Sequence, residues 1–205
     1  MTSAMQCLQE KIGSTPDGSF GPNTAKAIAK HYDLSPYRAA HLLGQASHES
    51  GGFKRTRENL NYSWSGLMKT WPTRFKTEEE AKKYHRQPSK IAGKVYLRKS
   101  LGNESVDDAR NFIGRGFVQL TGRANYKAFA TDMNVPEVLI DPNLVEGKYA
   151  FETALWFFNK NDLFTVADRG INENTITQIT KRVNGGHHGL DDRIAQTNKI
   201  YRWLS

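Results

Sequence analysis

Apolar residues recur at helical spacing along most of the chain, and turn-forming residues cut the pattern into short pieces. Met5 to Gly13 predicts a short helix with Leu8 and Ile12 on one face. The string Pro16-Asp17-Gly18-Ser19-Phe20-Gly21-Pro22 is turn punctuation, and Ala25 to Tyr32 predicts a second helix. Ser35 as N-cap and Pro36 in the first turn open a third. Its stripe of Ala39, Ala40, Leu42, Leu43 and Ala46 runs toward Glu49, and Gly51-Gly52 ends it. Ser63 caps a helix through Leu67, Met68 and Trp71, closed by Pro72. Thr77 to Glu80 reads as a capping box for a helix from Glu78 to His85. Pro88 to Leu101 predicts a helix with Ile91, Val95 and Leu101 apolar and a basic face of Lys90, Lys94, Arg98 and Lys99, either a contact surface for an anionic partner or a solvated face. Phe117 to Leu120 is a short extended run; Val145 to Asn159, Thr175 to Val183 and Leu190 to Leu204 are further helices. The pattern is that of a mainly α protein.

Two carboxyls stand out of this pattern. Glu49 lies at the end of an apolar stripe, where a charged residue is unusual, and Glu58 follows across a Gly-rich break. Two carboxyls in unlike surroundings are what cleavage of a glycosidic bond uses. The same spacing also fits a helix that ends in a solvated Glu, with a second Glu in a charged loop. Further along, Gly114, Gly116 and Gly122 allow close backbone approach around Gln119 and Thr121. If that run is extended, Gln119 and Thr121 face one way and suggest a polar cleft. Thr121 also reads as the N-cap of a following helix.

Composition narrows the field. The 205 residues suffice for one sizeable core with a small appendage. Hydrophobic residues at 38% and charged residues at 24% fit a globular protein, and no stretch reaches the length of a membrane span, so no stable membrane insertion is expected. No basic cluster precedes an apolar run at the N-terminus, so no secretory signal is expected. The single Cys7 excludes an internal disulfide and a Cys/His zinc finger. His48-Glu49 lacks the second His of a zinc-protease helix. No metal and no cofactor are therefore expected. The net charge of +8 favours a polyanionic partner, whether nucleic acid, anionic lipid or an anionic cell-wall surface; a basic surface without such a partner is the other reading. Nucleic acid is not expected, because the basic helix lacks groove-reading order.

Three ordered stretches resemble a known family. They are Gln45-x-x-His48-Glu49-Ser50-Gly51-Gly52-Phe53, then Gly114-Arg115-Gly116-x-x-Gln119-Leu120-Thr121-x-x-x-Asn125-Tyr126, then Val183-Asn184-Gly185-Gly186. Together they resemble the family 19 glycoside hydrolases, the chitinase-like group. The strings Glu58-Asn59-x-Asn61-Tyr62-Ser63 and Gly189-x-Asp191-Asp192-Arg193 are similar to those of its compact phage endolysins. The resemblance implies a lysozyme-like, mainly helical α+β fold, with a small β element beside the cleft, over residues 35–205. It implies cleavage of β-1,4 bonds between N-acetylated amino sugars, in peptidoglycan more than in chitin. Glu49 matches the family's general acid, Glu58 its general base, and Thr121 a hydroxyl that holds the attacking water. Tyr62, Gln119 and Asn184 match substrate-side positions, and Arg193 an Arg near the acid. Plant relatives pair that Arg with a Glu just past the Asn-Gly-Gly turn; here His187, His188 and Gly189 stand there, which puts the Arg193 network in doubt.

Residues 1–34 carry Asp17-Gly18-x-Phe20-Gly21-Pro22-x-Thr24, which resembles the small peptidoglycan-binding module of wall hydrolases. A structural cap on the core is the other reading. The expected chemistry is inversion, with Glu49 kept protonated by burial against Leu43, Ala46 and Phe53, which raises its pKa, and Glu58 kept ionised by Arg55 and Arg57. Inversion requires carboxyls about 6.5–9.5 Å apart. A lytic transglycosylase using Glu49 alone, and a chitinase, are the competing enzymes. A monomer is expected, and the lack of a secretory signal together with the phage resemblance implies accumulation in the host cytoplasm, with the wall reached after membrane permeabilisation.

Overall fold

The structure, a computed structural model, describes residues 2–205; Met1, at the head of the expected N-terminal segment, lies outside them. In chain order its helices are α1 (Ala4–Lys11), α2 (Pro22–His31), α3 (Pro36–Ser50), α4 (Trp64–Thr70), α5 (Glu78–Lys82), α6 (Pro88–Val95), α7 (Val106–Asn111), α8 (Arg123–Asp132), α9 (Ala150–Lys160), α10 (Leu163–Ala167), α11 (Glu173–Asn184) and α12 (Leu190–Leu204). Single 3-10 turns cover Lys99–Leu101, Pro136–Leu139 and Pro142–Glu146. The chain forms two compact units. One holds the residues up to Thr56, Gly116–Val118 and Leu144–Ser205; the other holds Arg57–Arg115 and Gln119–Asn143.

Helix α3 is the axis of the first unit. Ser35 Oγ accepts from Arg38 N–H at its start, and Gly51 at φ 61° ends it in the left-handed region. Ala39, Ala40, Leu42, Leu43 and Ala46 are all buried in one cluster with residues of α1, α2, α9, α10, α11 and α12. The largest helix–helix contact is with α12. Gly44 allows it: a β-carbon there would stand 2.3 Å from Thr197 Oγ1 and 3.0 Å from its Cα. Only a residue without a side chain lets the two backbones approach this closely.

The N-terminal residues belong to this same unit. Gln9, 1% exposed, organises the turn. Its amide nitrogen donates to Asp17 Oδ1 (2.8 Å), Ser19 O (3.0 Å) and Thr24 Oγ1 (3.1 Å), and its oxygen accepts from Gly18 N–H (2.8 Å). Ala25 and Ile28 of α2 are fully buried in the α3 cluster, and Phe20 packs on Phe53 with ring centroids 4.4 Å apart. Deleting residues 1–33 strips this face of the core. The truncated chain is expected to lose its cooperative melt in calorimetry; a folded, active remainder that no longer sediments with sacculi would instead identify the segment as an anchor.

The second unit has its own core of Leu60, Leu67, Phe75, Ala81, Ile91, Ala92, Val95 and Ile113. Several of its helices stop short of the sequence pattern. The helix expected to reach Leu101 ends at Val95, because Arg98 Nε donates to Val95 O (2.7 Å) and Asn103 Nδ2 to Tyr96 O (2.8 Å), occupying the terminal carbonyls. Thr77 caps α5, but Glu80 turns to Lys76 N–H and Lys94 instead of closing a capping box, and α5 ends at Lys82.

The expected small β element is reduced, among the described residues, to two isolated bridges, Arg57 with Arg115 and Arg115 with Leu120. Gly116 (φ 81°), Gln119 (φ 56°) and Gly122 (φ 88°) all lie in the left-handed region, which bends the run that would have been a strand. Arg115 and Leu120 exchange backbone bonds of 3.1 and 2.7 Å across that bend.

Candidate active site

Glu49 is the penultimate residue of α3 and belongs to the first unit. Its carboxyl is not packed away against Leu43, Ala46 and Phe53 as the apolar stripe suggested; the side chain is 26% exposed. What holds it is Arg193, 2% exposed in the first turn of α12. The Arg193 guanidinium donates to Glu49 Oε1 (2.5 Å) through Nη2, to Gln45 Oε1 (2.5 Å) through Nη1 and to His188 O (3.1 Å) through Nε. Gln45, one turn before Glu49 and fully buried, passes its own amide hydrogen to Thr180 Oγ1 (3.1 Å). The missing plant Glu therefore does not dissolve the arginine network: a neutral amide and a backbone carbonyl take the positions beside Arg193.

A second clasp runs alongside. His48 Nδ1 lies 2.6 Å from Asp192 Oδ2, so two consecutive residues of α3 grip two consecutive residues of α12. The His48 bond holds the Asp192 carboxyl below the ordinary aspartate value. Gly189, at φ 68°, closes over the His48 ring, where a β-carbon would come within 2.1 Å. Asn184 folds onto its own turn. It accepts from Gly186 N–H and donates to His188 O, both at 2.8 Å, and so shares an acceptor with Arg193.

Glu58 lies in the second unit, among a different set of groups. Tyr96 O–H donates to its Oε2 and Gly114 N–H to its Oε1, each at 2.5 Å. Burial raises its pKa above the ordinary glutamate value; the two hydrogen bonds and the charges of Arg115 and Arg57 oppose that rise without cancelling it. Arg57 favours the ionised form as expected, while Arg55 is not among the groups that act on Glu58. Burial wins, and the Arg55 guanidinium lies against the Glu49 carbonyl (3.4 Å) instead. Burial and the neighbouring Glu58 carboxyl push the Tyr96 phenol upward in turn, so it stays a donor.

Gly114 is the floor of this pocket. A β-carbon on it would stand 2.9 Å from Gln119 Oε1, 3.2 Å from Thr121 Oγ1 and 3.3 Å from Glu58 Oε1. Three of the residues singled out in the sequence thus converge on one glycine. Tyr62 lies near the Tyr96 phenol, its ring edge-on to Trp71 (5.0 Å). Sequence reasoning missed Tyr96, the Gly114 amide and the part played by Gln45. Tyr96 is 38 residues from Glu58 and Gln45 is 148 from Arg193, so no local pattern signals either.

Thr121 is not the cap of α8. Gly122 holds the N-cap position without a side-chain bond, and Asn103 Oδ1 accepts from Arg123 N–H (2.8 Å) in the role a cap would fill. Thr121 donates to Gln119 O (2.8 Å) and so pins the left-handed turn beside Glu58. Thr121→Ala is expected to lower turnover by roughly tenfold and stability by about 1 kcal/mol, with Thr121→Ser close to the parent. Initial rates and melts on the same preparations check this; unchanged turnover per folded molecule would leave Thr121 a purely structural residue.

Comparison with known proteins bears on this geometry. The family model described as chitinase class I, of glycoside hydrolase family 19, matches residues 23–167. A glycosyl hydrolase family 19 domain-containing protein of Haemophilus influenzae is 39% identical over 180 residues, 86% of this chain and 83% of that one. An endochitinase of Arabidopsis thaliana is 30% identical over 167 residues, 80% of this chain but only 45% of the plant protein. Among solved structures, chitinase C from Streptomyces griseus superposes with a TM-score of 0.53 over 99% of this chain and 92% of that one, at 17% identity, a likeness of fold.

Proposed function

Because the chain belongs to glycoside hydrolase family 19, and is thus a chitinase-like glycosidase, we propose that it is an endolysin that hydrolyses the β-1,4 bonds of bacterial peptidoglycan and lyses the host cell. The observation that carries the reading is the pair of carboxyls in unlike surroundings. Glu49 is gripped by a buried guanidinium, and Glu58 is sunk in a pocket with a hydroxyl and an amide beside it. Two carboxyls so differentiated suit an inverting displacement, in which one protonates the leaving oxygen and the other draws a proton from water.

In this mechanism Glu49 delivers the proton to the glycosidic oxygen, and Arg193 orients the carboxyl and stabilises the charge left behind. Glu58 takes a proton from the attacking water, which Thr121 and Gln119 help to place. Tyr62 and Asn184 contribute on the substrate side. The protein reaches its substrate from the host cytoplasm once another factor has opened the inner membrane, and its basic excess favours the anionic wall.

One observation favours the reciprocal assignment. Burial raises the pKa of Glu58, which is the direction that suits an acid. Chemical rescue separates the two. With Glu49 as the acid, Glu49→Gln keeps activity toward a substrate whose leaving group needs no proton, and azide restores Glu58→Gln; the reciprocal assignment gives the opposite pattern. Mass spectrometry of digested sacculi tests the reading as a whole. Reducing ends are expected; 1,6-anhydro ends would convert the protein into a lytic transglycosylase, and digestion of chitin alone would make it a chitinase.

A further inference from the structure

The back of the Glu58 pocket opens into features that the mechanism above does not use. A small cavity of about 70 Å³ has Glu58 in one wall, a floor of Leu60, Ala92 and Ile113, and Arg57 and Arg110 at its rim. Arg110 also lines an adjoining groove of about 410 Å³ with Arg74, Lys90 and Lys94. All of these residues belong to the second unit. The stem of Arg110 lies along α6, where the absence of a side chain at Gly93 leaves room for it: a β-carbon there would stand 3.5 Å from Arg110 Nε.

The cations of this tract are not all engaged. Lys94 is held by Glu80 and lies over the rings of Phe75 and Tyr84, so it is part of the fold. Among the described residues Arg110 pairs only with an exposed Asp107 at 3.4 Å, a weak surface pair. Lys90 and Arg74 have no ion pair among the described residues. The anions beside the tract are Glu58, Glu80 and Asp107, which leaves an excess of positive charge running outward from Glu58. A neutral amino-sugar polymer offers nothing to such a surface. A glycan strand carrying short peptides offers a carboxylate at regular intervals.

We propose that this cationic tract binds the stem-peptide carboxylates of peptidoglycan, and that it makes the enzyme select a peptide-bearing strand over a neutral strand such as chitin. This rests on the reading that bond cleavage takes place at Glu58. The apolar floor accepts the alkyl part of the first residues of the stem, and Arg57, Arg110 and Lys90 meet its charged ends. Such contacts are solvent-exposed and weaken with salt.

The test uses the full chain with Glu49→Gln, so that ligand survives the measurement. Affinity is measured for soluble peptide-bearing glycan strands, for the same strands after an amidase has removed the peptides, and for chitin oligomers. Adding Lys90→Gln and Arg110→Gln is expected to weaken binding of peptide-bearing strands about tenfold. The loss should bring them near the stripped strands, and high salt should mimic it. Melting curves matched to the parent exclude misfolding. Equal losses on all three ligands, no loss on the first, or a loss that persists on stripped strands would each overturn the assignment. If the unsubstituted protein releases no sugar ends from any polymer, it is the hydrolase reading that fails, and the binding series still reports on the tract.

Discussion

Replacing Glu58 by Gln is expected to remove hydrolysis and at the same time to raise the melting temperature at neutral pH. The first effect follows from the proposed chemistry: loss of a general base costs about 10²–10⁴ in rate, and Glu49→Gln should cost a similar factor as loss of the acid. The second follows from burial. The folded state raises the pKa of Glu58, so it binds the proton more tightly than the unfolded chain. The ionised carboxylate therefore weakens the fold above the raised value, and this penalty vanishes once the pH falls below the ordinary glutamate value of 4.5. Gln carries no charge to desolvate. Its oxygen still accepts from Gly114 N–H, and its amide nitrogen donates to the Tyr96 oxygen. Melts of parent and variant should diverge at pH 7 and converge near about pH 3.5. The same shift places the acidic limb of the parent's rate profile above the ordinary glutamate range. An inactive variant that melts no higher at pH 7 would show that Glu58 is not strained by burial; an active one would remove it from the mechanism.

Arg193→Ala should be the most damaging single change in the first unit. It leaves Gln45 Oε1 fully buried without its donor and frees the Glu49 carboxyl. Breaking a buried ion pair from one side costs about 3 kcal/mol or more, on the order of 6–12 °C for a chain of this size. Partial exposure of Glu49 lets water relieve its side, which sets the lower end. Arg193→Lys separates the two jobs. A lysine restores a positive charge near Glu49 and some of the stability, but a single ammonium cannot reach Gln45, Glu49 and the His188 carbonyl as the planar fork does. Stability should recover in part while turnover stays low. If lysine restores turnover fully, the orientation of Glu49 does not depend on the fork.

The parts of this site that the sequence made legible were those fixed by local chemistry. Ser35, Ser63 and Thr77 each cap the helix they were read to cap, and the last helix runs from Leu190 to Leu204 as its pattern indicates. Glu49 at the end of an apolar helix, followed by a glycine break, was equally plain. The partners of the two carboxyls were not legible, because they arrive from far along the chain: Tyr96 from α6's end, Arg193 from α12. The turn at Gln119 was hidden for another reason. A glutamine at φ 56° has no signature in its residue type, and the neighbouring Phe117, Val118 and Leu120 argue for a strand. Helices α7, α8 and α10 were missed or only touched as short or weakly patterned segments, since packing more than periodicity fixes them.

The separation between Glu49 and Arg193 is 144 residues. On a ribosome adding about 5–20 residues per second, the acid emerges roughly 7–30 s before its arginine. Through that interval the apolar stripe of α3 has no α12 to cover it, and Gly44 faces no partner backbone. The residues of the Glu58 pocket, all between Arg57 and Asn143, are complete much sooner. A nascent chain therefore holds the partners of Glu58 before it holds the arginine that orients Glu49. A messenger truncated ahead of Arg193 yields a chain that holds the residues around Glu58 but leaves the Glu49 carboxyl without its guanidinium.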